Sequence, residues 1–155
     1  MTNLRFQRSL TIVLGLWVFS FIASCSRIIY HDPQIATVTA SEFARRALLK
    51  REYSVASDFL LDDSPVEVRT EKVKEIVEKM HSSKEFPTSI IAVAYEPVPG
   101  TPAIRVFLDG SGTNQSPFFY CFVMQLQNDS TYRVSEIYRS PNNVPFPSSS
   151  LRRAL

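Results

Sequence analysis

Residues 103–109, Ala-Ile-Arg-Val-Phe-Leu-Asp, and residues 117–127, Pro-Phe-Phe-Tyr-Cys-Phe-Val-Met-Gln-Leu-Gln, decide the fold. Both runs are rich in β-branched and aromatic side chains. Turn chemistry bounds them: Pro99-Gly100-Thr101-Pro102 before the first, Gly110-Ser-Gly-Thr-Asn114 between them, and Asn128-Asp-Ser130 after the second. They read as two of four strands, the others being 89–97 and 132–139. Connections this short join neighbours that run in opposite directions, so the four make an antiparallel meander. Gly110-Ser-Gly112 is not a phosphate loop, because no helix comes after it to offer an anion-binding terminus.

The same runs are apolar on both faces. Alternation puts Ile104, Val106 and Leu108 with Phe118, Tyr120, Phe122, Met124 and Leu126 on one side, and Arg105 and Phe107 with Phe119, Cys121 and Val123 on the other. A sheet covered on one side only alternates cleanly between apolar and polar, so this second face needs a cover. The first reading is a homodimer or partner protein seated on Arg105, Phe107, Phe119 and Val123, since contiguous exposed apolar area marks an interface. The second is that the tail Val144-Pro-Phe146, or the tether next to the leader, folds back over the sheet.

Upstream the period is helical. Thr39-Ala-Ser-Glu42 is a capping-box pattern and predicts a helix start at 39, with a break near Arg51-Glu52 and a continuation to Asp62-Asp63. Ser64-Pro65-Val66-Glu67 repeats the start signal with proline at the first helical position. Val73, Ile76, Val77 and Met80 then form an apolar stripe, and the charged residues between them read as a solvated face. His81 reads as a helix-terminal residue and His31 as solvated. Arg45, Arg46, Lys50 and Arg51 read as a solvated basic face, with anionic headgroups as the second reading.

Helices followed by consecutive strands give an α+β fold: N-terminal helices packed on one face of a curved four-stranded antiparallel sheet. The helix, basic kink and aromatic of 43–53, the run 54–62 and the closing strand Tyr132-Arg-Val-Ser-Glu-Ile137 together resemble the nuclear-transport-factor-2-like superfamily, the cystatin-like cones. The resemblance spans 39–139 and implies a cone-like sheet. It also implies where chemistry would sit, because ketosteroid isomerase and its relatives hold an aspartate, histidine or tyrosine group inside the cone to move a proton. Such work needs a titrating group within hydrogen-bond reach of substrate. Here Glu136 is the one mid-strand carboxylate, and alternation places it on a face with Tyr132 and Tyr138. Tyr95, Tyr120, Tyr132 and Glu136 are thus the candidate pocket of a small cone enzyme or apolar-ligand carrier. Neither histidine lies on a strand, and no nucleophile elbow, zinc spacing or calcium loop is present. Catalysis is therefore not the default, and neither metal nor cofactor is expected.

The first 26 residues speak of location. Arg5 and Arg8 precede an apolar run over 10–23, and small residues lead to Cys25, the layout of a secretory signal. The run is about 14 residues, short of the ~20 that cross a bilayer, so cleavage is expected rather than a permanent anchor. Ile22-Ala23-Ser24-Cys25 resembles the lipobox of bacterial lipoproteins, in which the cysteine sulfur receives a diacylglycerol and the new amino terminus is acylated. The resemblance implies a palmitate-type lipid anchor on Cys25, the bilayer as partner, and a cell-envelope location, the outer membrane in a Gram-negative cell because Ser26 is not aspartate. The expected organisation is a signal peptide over 1–24, the lipidated cysteine and a tether over 25–38, one domain over 39–139, and a Pro/Ser-rich tail over 140–155.

The 17 lysines and arginines exceed the 15 carboxylates by two, and two of those cations are Arg5 and Arg8 in the leader. What remains is neutral, so no overall field invites nucleic acid. With Cys25 acylated, Cys121 stands alone and reads as a buried, inert thiol. The function expected from these residues is a membrane-anchored, non-enzymatic binding or assembly module, with the pocket protein and an accessory subunit of a larger membrane complex as alternatives.

Overall fold

A computed structural model describes residues 30–81 and 85–155. The leader and Cys25 lie outside the described residues. The chain runs through helices α1 (Pro33–Ala44), α2 (Tyr53–Ala56) and α3 (Val66–Met80), then strands β1 (Ser89–Pro97), β2 (Ala103–Ser111), β3 (Pro117–Leu126), β4 (Tyr132–Arg139) and β5 (Arg153–Ala154). The fold is α+β, with one open antiparallel sheet in the order β4-β3-β2-β1-β5. The sheet therefore has five strands, where the sequence suggested four.

The first helix starts earlier than its capping box suggested. Asp32 caps it, Oδ1 accepting the N–H groups of Gln34 at 3.0 Å and Ile35 at 3.1 Å, and Pro33 occupies the first turn, where its missing N–H costs nothing. Residues 33–38, expected in the tether, are helical. Thr39 is consequently mid-helix, its hydroxyl donating to the Ile35 carbonyl at 2.9 Å, and Glu42 serves the arginines instead of a cap. α1 widens into a π-helical turn at Arg45–Leu49 and ends at Arg51, which takes a left-handed φ of 58°. The expected break falls there. α2 passes into a 3-10 turn at Ser57–Phe59. Pro65 is the N-cap of α3 rather than its first helical residue, and Val73 and Val77 of the predicted stripe are fully buried.

α1 lies across the sheet. Ala36, Ala40, Ala44 and Ala47 are small enough to bring its backbone close, and Phe43 meets Phe122 edge to face at 5.4 Å. Beneath them sit Ile104, Val106, Leu108, Phe118, Tyr120 and Met124, all fully buried.

Two bulges modify the strands. On β1, Ala92 pairs with Leu108 and Ala94 with Phe107, leaving Val93 without a partner. On β4, Val134 pairs with Met124 and Glu136 with Val123, leaving Ser135 extra, its hydroxyl donating to the Val123 carbonyl at 3.0 Å. Each extra residue shifts the alternation of the rest of its strand by one. Tyr132, Val134 and Ile137 pack against the helix-side core, whereas Glu136 and Tyr138 stand on the second face. The expectation that Glu136 shares a face with Tyr132 is thus corrected, because it rested on unbroken alternation.

The segment after β4 is part of the fold. It turns at Pro141–Asn143, crosses the second face and pairs β5 with β1, Ala94 opposite Ala154 and Tyr95 opposite Arg153. The structured unit therefore extends past the expected 39–139 boundaries at both ends.

Candidate functional site

The second sheet face forms a small grid through strand register. Glu96, Arg105, Val123 and Glu136 lie in one row, Ala94, Phe107, Cys121 and Tyr138 in the next, and Ile91, Asp109 and Phe119 in a third. Of the candidate interface, Phe107 is buried, while Arg105, Phe119 and Val123 are partly exposed. The cover over Phe107 is the C-terminal segment, the second of the two covers considered. Phe146 sits beside Phe107 with ring centroids 5.9 Å apart, and the Arg152 guanidinium carbon lies 3.5 Å above the Phe107 centroid. Arg152 Nη1 donates to the Phe146 carbonyl at 3.1 Å, tying the two ends of the strap together. Its Nε is buried without a partner.

A buried carboxylate anchors the strap's middle. Glu96, 8% exposed, accepts from Arg105 Nη1 at 3.2 Å and from the Ser149 hydroxyl at 2.8 Å. Leu155 completes the attachment by donating its N–H to the Val93 carbonyl at 3.1 Å. Cys121 lies in the small cluster of Ala94, Phe107, Val93 and Phe146. Burial raises its thiol pKa to about 11, so the sulfur is held as an unreactive thiol.

The candidate pocket is not assembled. Tyr120 and Tyr132 are 0% and 2% exposed inside the helix-side core, and Tyr95 packs at its margin. Glu136 is on the opposite face, where it accepts a hydrogen bond from Tyr138. Tyr132 is occupied structurally, its phenol oxygen accepting the Asp32 N–H at 3.0 Å with His31 Nδ1 at 3.5 Å.

The sequence did not reveal the role of His81. It ends α3, as expected, but it is also 2% exposed. Nδ1–H donates to the Glu85 carbonyl at 2.7 Å, which leaves Nε2 to accept from the Tyr120 hydroxyl at 3.2 Å. This tautomer is assigned because the Glu85 carbonyl, which can only accept, is nearer to Nδ1 than Arg139 Nη1, at 3.3 Å. Burial lowers the imidazole pKa, with Arg139 and Arg51 adding to the effect, and burial raises that of Tyr120. Phe86 stacks on the imidazole at 4.6 Å, and Arg51 caps Phe86 at 4.0 Å. The pair is a neutral, closed hydrogen bond that fixes α3 to β3. A cleft of about 520 Å³ opens beyond Phe86, lined by Arg51, Glu85, Thr88, Thr113, Asn114 and Ser116 among others, and none of the four candidate pocket residues borders it.

The basic cluster is cross-linked by acids. Glu42 accepts from Nε of both Arg45 and Arg46 at 2.8 Å, and Arg46 also pairs with Glu52. The two guanidinium groups lower the Glu42 pKa to about 2, so this face is held in ion pairs. Among the described residues, no group of three or more His, Cys, Asp or Glu side chains is placed to hold a metal ion. No helix among them is long and apolar enough to cross a membrane. No family model, no curated protein and no solved structure matches the chain.

Proposed function

We propose that this chain is a lipid-anchored, non-enzymatic binding or assembly module of a bacterial cell envelope, held to the membrane through acylated Cys25 and meeting other proteins through its domain. The observation that carries the non-enzymatic part is the filled space between helices and sheet. The residues that would line a cone pocket, Tyr120 and Tyr132 above all, are buried in the core, Tyr120 against Phe118 and Phe122, with their hydroxyls committed to His81 and the Asp32 N–H. A pocket inside the cone needs a cavity of roughly 300 Å³ or more with polar groups converging on it, and here those groups converge on one another, while the cleft of about 520 Å³ beyond Phe86 is bordered by none of them. The lipobox Ile22-Ala23-Ser24-Cys25 supports the anchor. The cone-like curvature belongs to the same proposal and draws support from the bulges at Val93 and Ser135, which bend the strands that carry them.

The test is intact-mass measurement of the chain expressed in a bacterium, before and after Cys25→Ser. The expected result is a cleaved chain heavier by a diacylglycerol and an acyl group, found with membranes, and an unmodified precursor in the variant. Absence of added lipid mass on the wild-type chain overturns the anchor. Native mass spectrometry of the same material addresses the pocket: a stoichiometric small molecule retained by the folded chain overturns the module in favour of a carrier.

A further inference from the structure

The turn that launches the C-terminal strap contains two successive left-handed residues, Asn142 at φ 57° and Asn143 at φ 52°. Left-handed backbone is unfavourable for any residue with a side chain, though least so for asparagine, and strain in a hinge is relieved when the hinge extends. The turn is pinned on the β4 side, where the Ser140 N–H donates to the Phe119 carbonyl at 2.9 Å. Movement is therefore confined to the chain beyond Ser140.

Beyond the turn, the strap is held by contacts with the sheet and by its own Arg152–Phe146 bond, while the turn itself is held by Arg139 Nη2, which donates to Asn143 Oδ1 at 3.0 Å. Phe146 and Arg152 pack on Phe107, Ser149 binds Glu96, and β5 pairs with β1 over only two positions. A strap arriving from another copy would meet the same partners in the same register. Exchange between copies therefore keeps every contact of residues 144–155, lets both hinges extend, and costs the Arg139–Asn143 bond of each hinge and the entropy of association.

We propose that residues 144–155 exchange between two copies of this chain, so that the strap of each lies on the second sheet face of the other and closes a homodimer. The proposal rests on the assembly reading in taking a second copy as the partner, and it does not depend on the lipid anchor. The part-exposed Phe119 and Val123 lie beside the strap on the face the incoming chain must cross.

The experiment uses two differently tagged full-length chains co-expressed in one cell, both carrying Cys121→Ala to remove the thiol beside Ala94. One also carries Ala94→Cys and the other Ala154→Cys. These positions are register partners, and neither chain contains both, so a disulfide between the two forms only when a strap crosses. The expected result, after mild oxidation of the membranes, is a band with both tags that disappears on reduction. The Cys121→Ala parents run alongside report any bond made by Cys25. No doubly tagged band from chains that still unfold cooperatively overturns the exchange. So does a homodimer by native mass spectrometry without that band, which leaves the assembly reading standing with closed straps. A doubly tagged band from chains lacking lipid mass keeps the exchange and removes the anchor. Asn142→Gly with Asn143→Gly accepts the left-handed turn freely and should lower the exchanged fraction about tenfold. An unchanged fraction overturns the hinge as its cause.

Discussion

The phenol oxygen of Tyr132 accepts the backbone N–H of Asp32 at 3.0 Å, joining the cap of the first helix to the start of β4 across a hundred residues of sequence. Tyr132 is 2% exposed, so little water competes for the bond. Tyr132→Phe should cost about 1 kcal/mol, and Asp32→Ala a similar amount through lost capping. Because both changes loosen one junction, the double variant should cost less than the sum, as read from urea midpoints. Strict additivity would mean that the helix start and β4 are energetically independent.

Stability should fall in mild acid because of His81. Burial, with Arg139 and Arg51 nearby, depresses its folded-state pKa below the ordinary 6.5. The unfolded chain then binds a proton that the fold resists, so the contribution is complete above pH 6.5 and is lost as pH falls toward the folded value. The slope has a ceiling of about 1.4 kcal/mol per pH unit for one proton. Urea midpoints at three pH values from 7.5 to 5.5 should decline, and His81→Gln should flatten that window. Glu42, with its pKa lowered to about 2, has the same sign but acts in stronger acid, as its carboxylate begins to protonate.

Cys121 reports on the strap. With a pKa of about 11 the thiolate fraction at pH 8 is on the order of one in a thousand, and Phe146 packs against its cluster. Alkylation followed on the peptide that contains Cys121 should be slow in the native chain, and Phe146→Ala or Arg152→Ala should speed it by about tenfold through local opening. An equal rate in wild type and variants would show that the strap does not shield the thiol.

The bulge at Ser135 sets which face Glu136 occupies. Deleting Ser135 would leave Val134 opposite Met124 and Glu136 opposite Val123, so every remaining side chain of β4 keeps its face and the cost should be near that of the lost bond to the Val123 carbonyl, about 1 kcal/mol. Ser135→Ala keeps the extra residue and loses only its bond to Val123, for about 1 kcal/mol. A deletion that lowers the unfolding midpoint far more than Ser135→Ala would contradict this account.

Phe122 takes the edge of Phe43 at the centre of the packed layer. Phe122→Ala should cost about 3–5 kcal/mol, a large part of the roughly 5–15 kcal/mol that stabilises a domain. The measurement is the shift in chemical denaturation midpoint at constant slope.

The strand limits were readable because local chemistry marks them. Pro99-Gly100 and Asn128-Asp129 bound the runs beside them, and β1 and β4 have the limits expected of them, whereas β2 runs two residues into the expected Gly110–Asn114 turn and ends at Ser111. What local pattern does not carry is a choice between two valid signals. Asp32-Pro33 and Thr39-Glu42 both spell a helix start, and the longer helix prevails because Ala36 and Ala40 then bury against the sheet. A bulge leaves no mark in composition, so Val93 and Ser135 were invisible, and with Ser135 went the facing of Glu136. The strap shows neither a helical nor a strand period, and its order comes from Phe107 and Glu96, far away in sequence. His81 looked ordinary for the same reason, since its partner Tyr120 is remote.

The early start of α1 has a consequence for any chain acylated at Cys25. Only residues 26–31 separate that cysteine from the capped helix, a line no longer than ~25 Å when fully stretched. A domain on so short a leash diffuses with its lipid in two dimensions and samples a shell one domain deep. Two such copies meet at an effective concentration set by membrane area rather than by cell volume, which favours pairing at expression levels too low for pairing in solution.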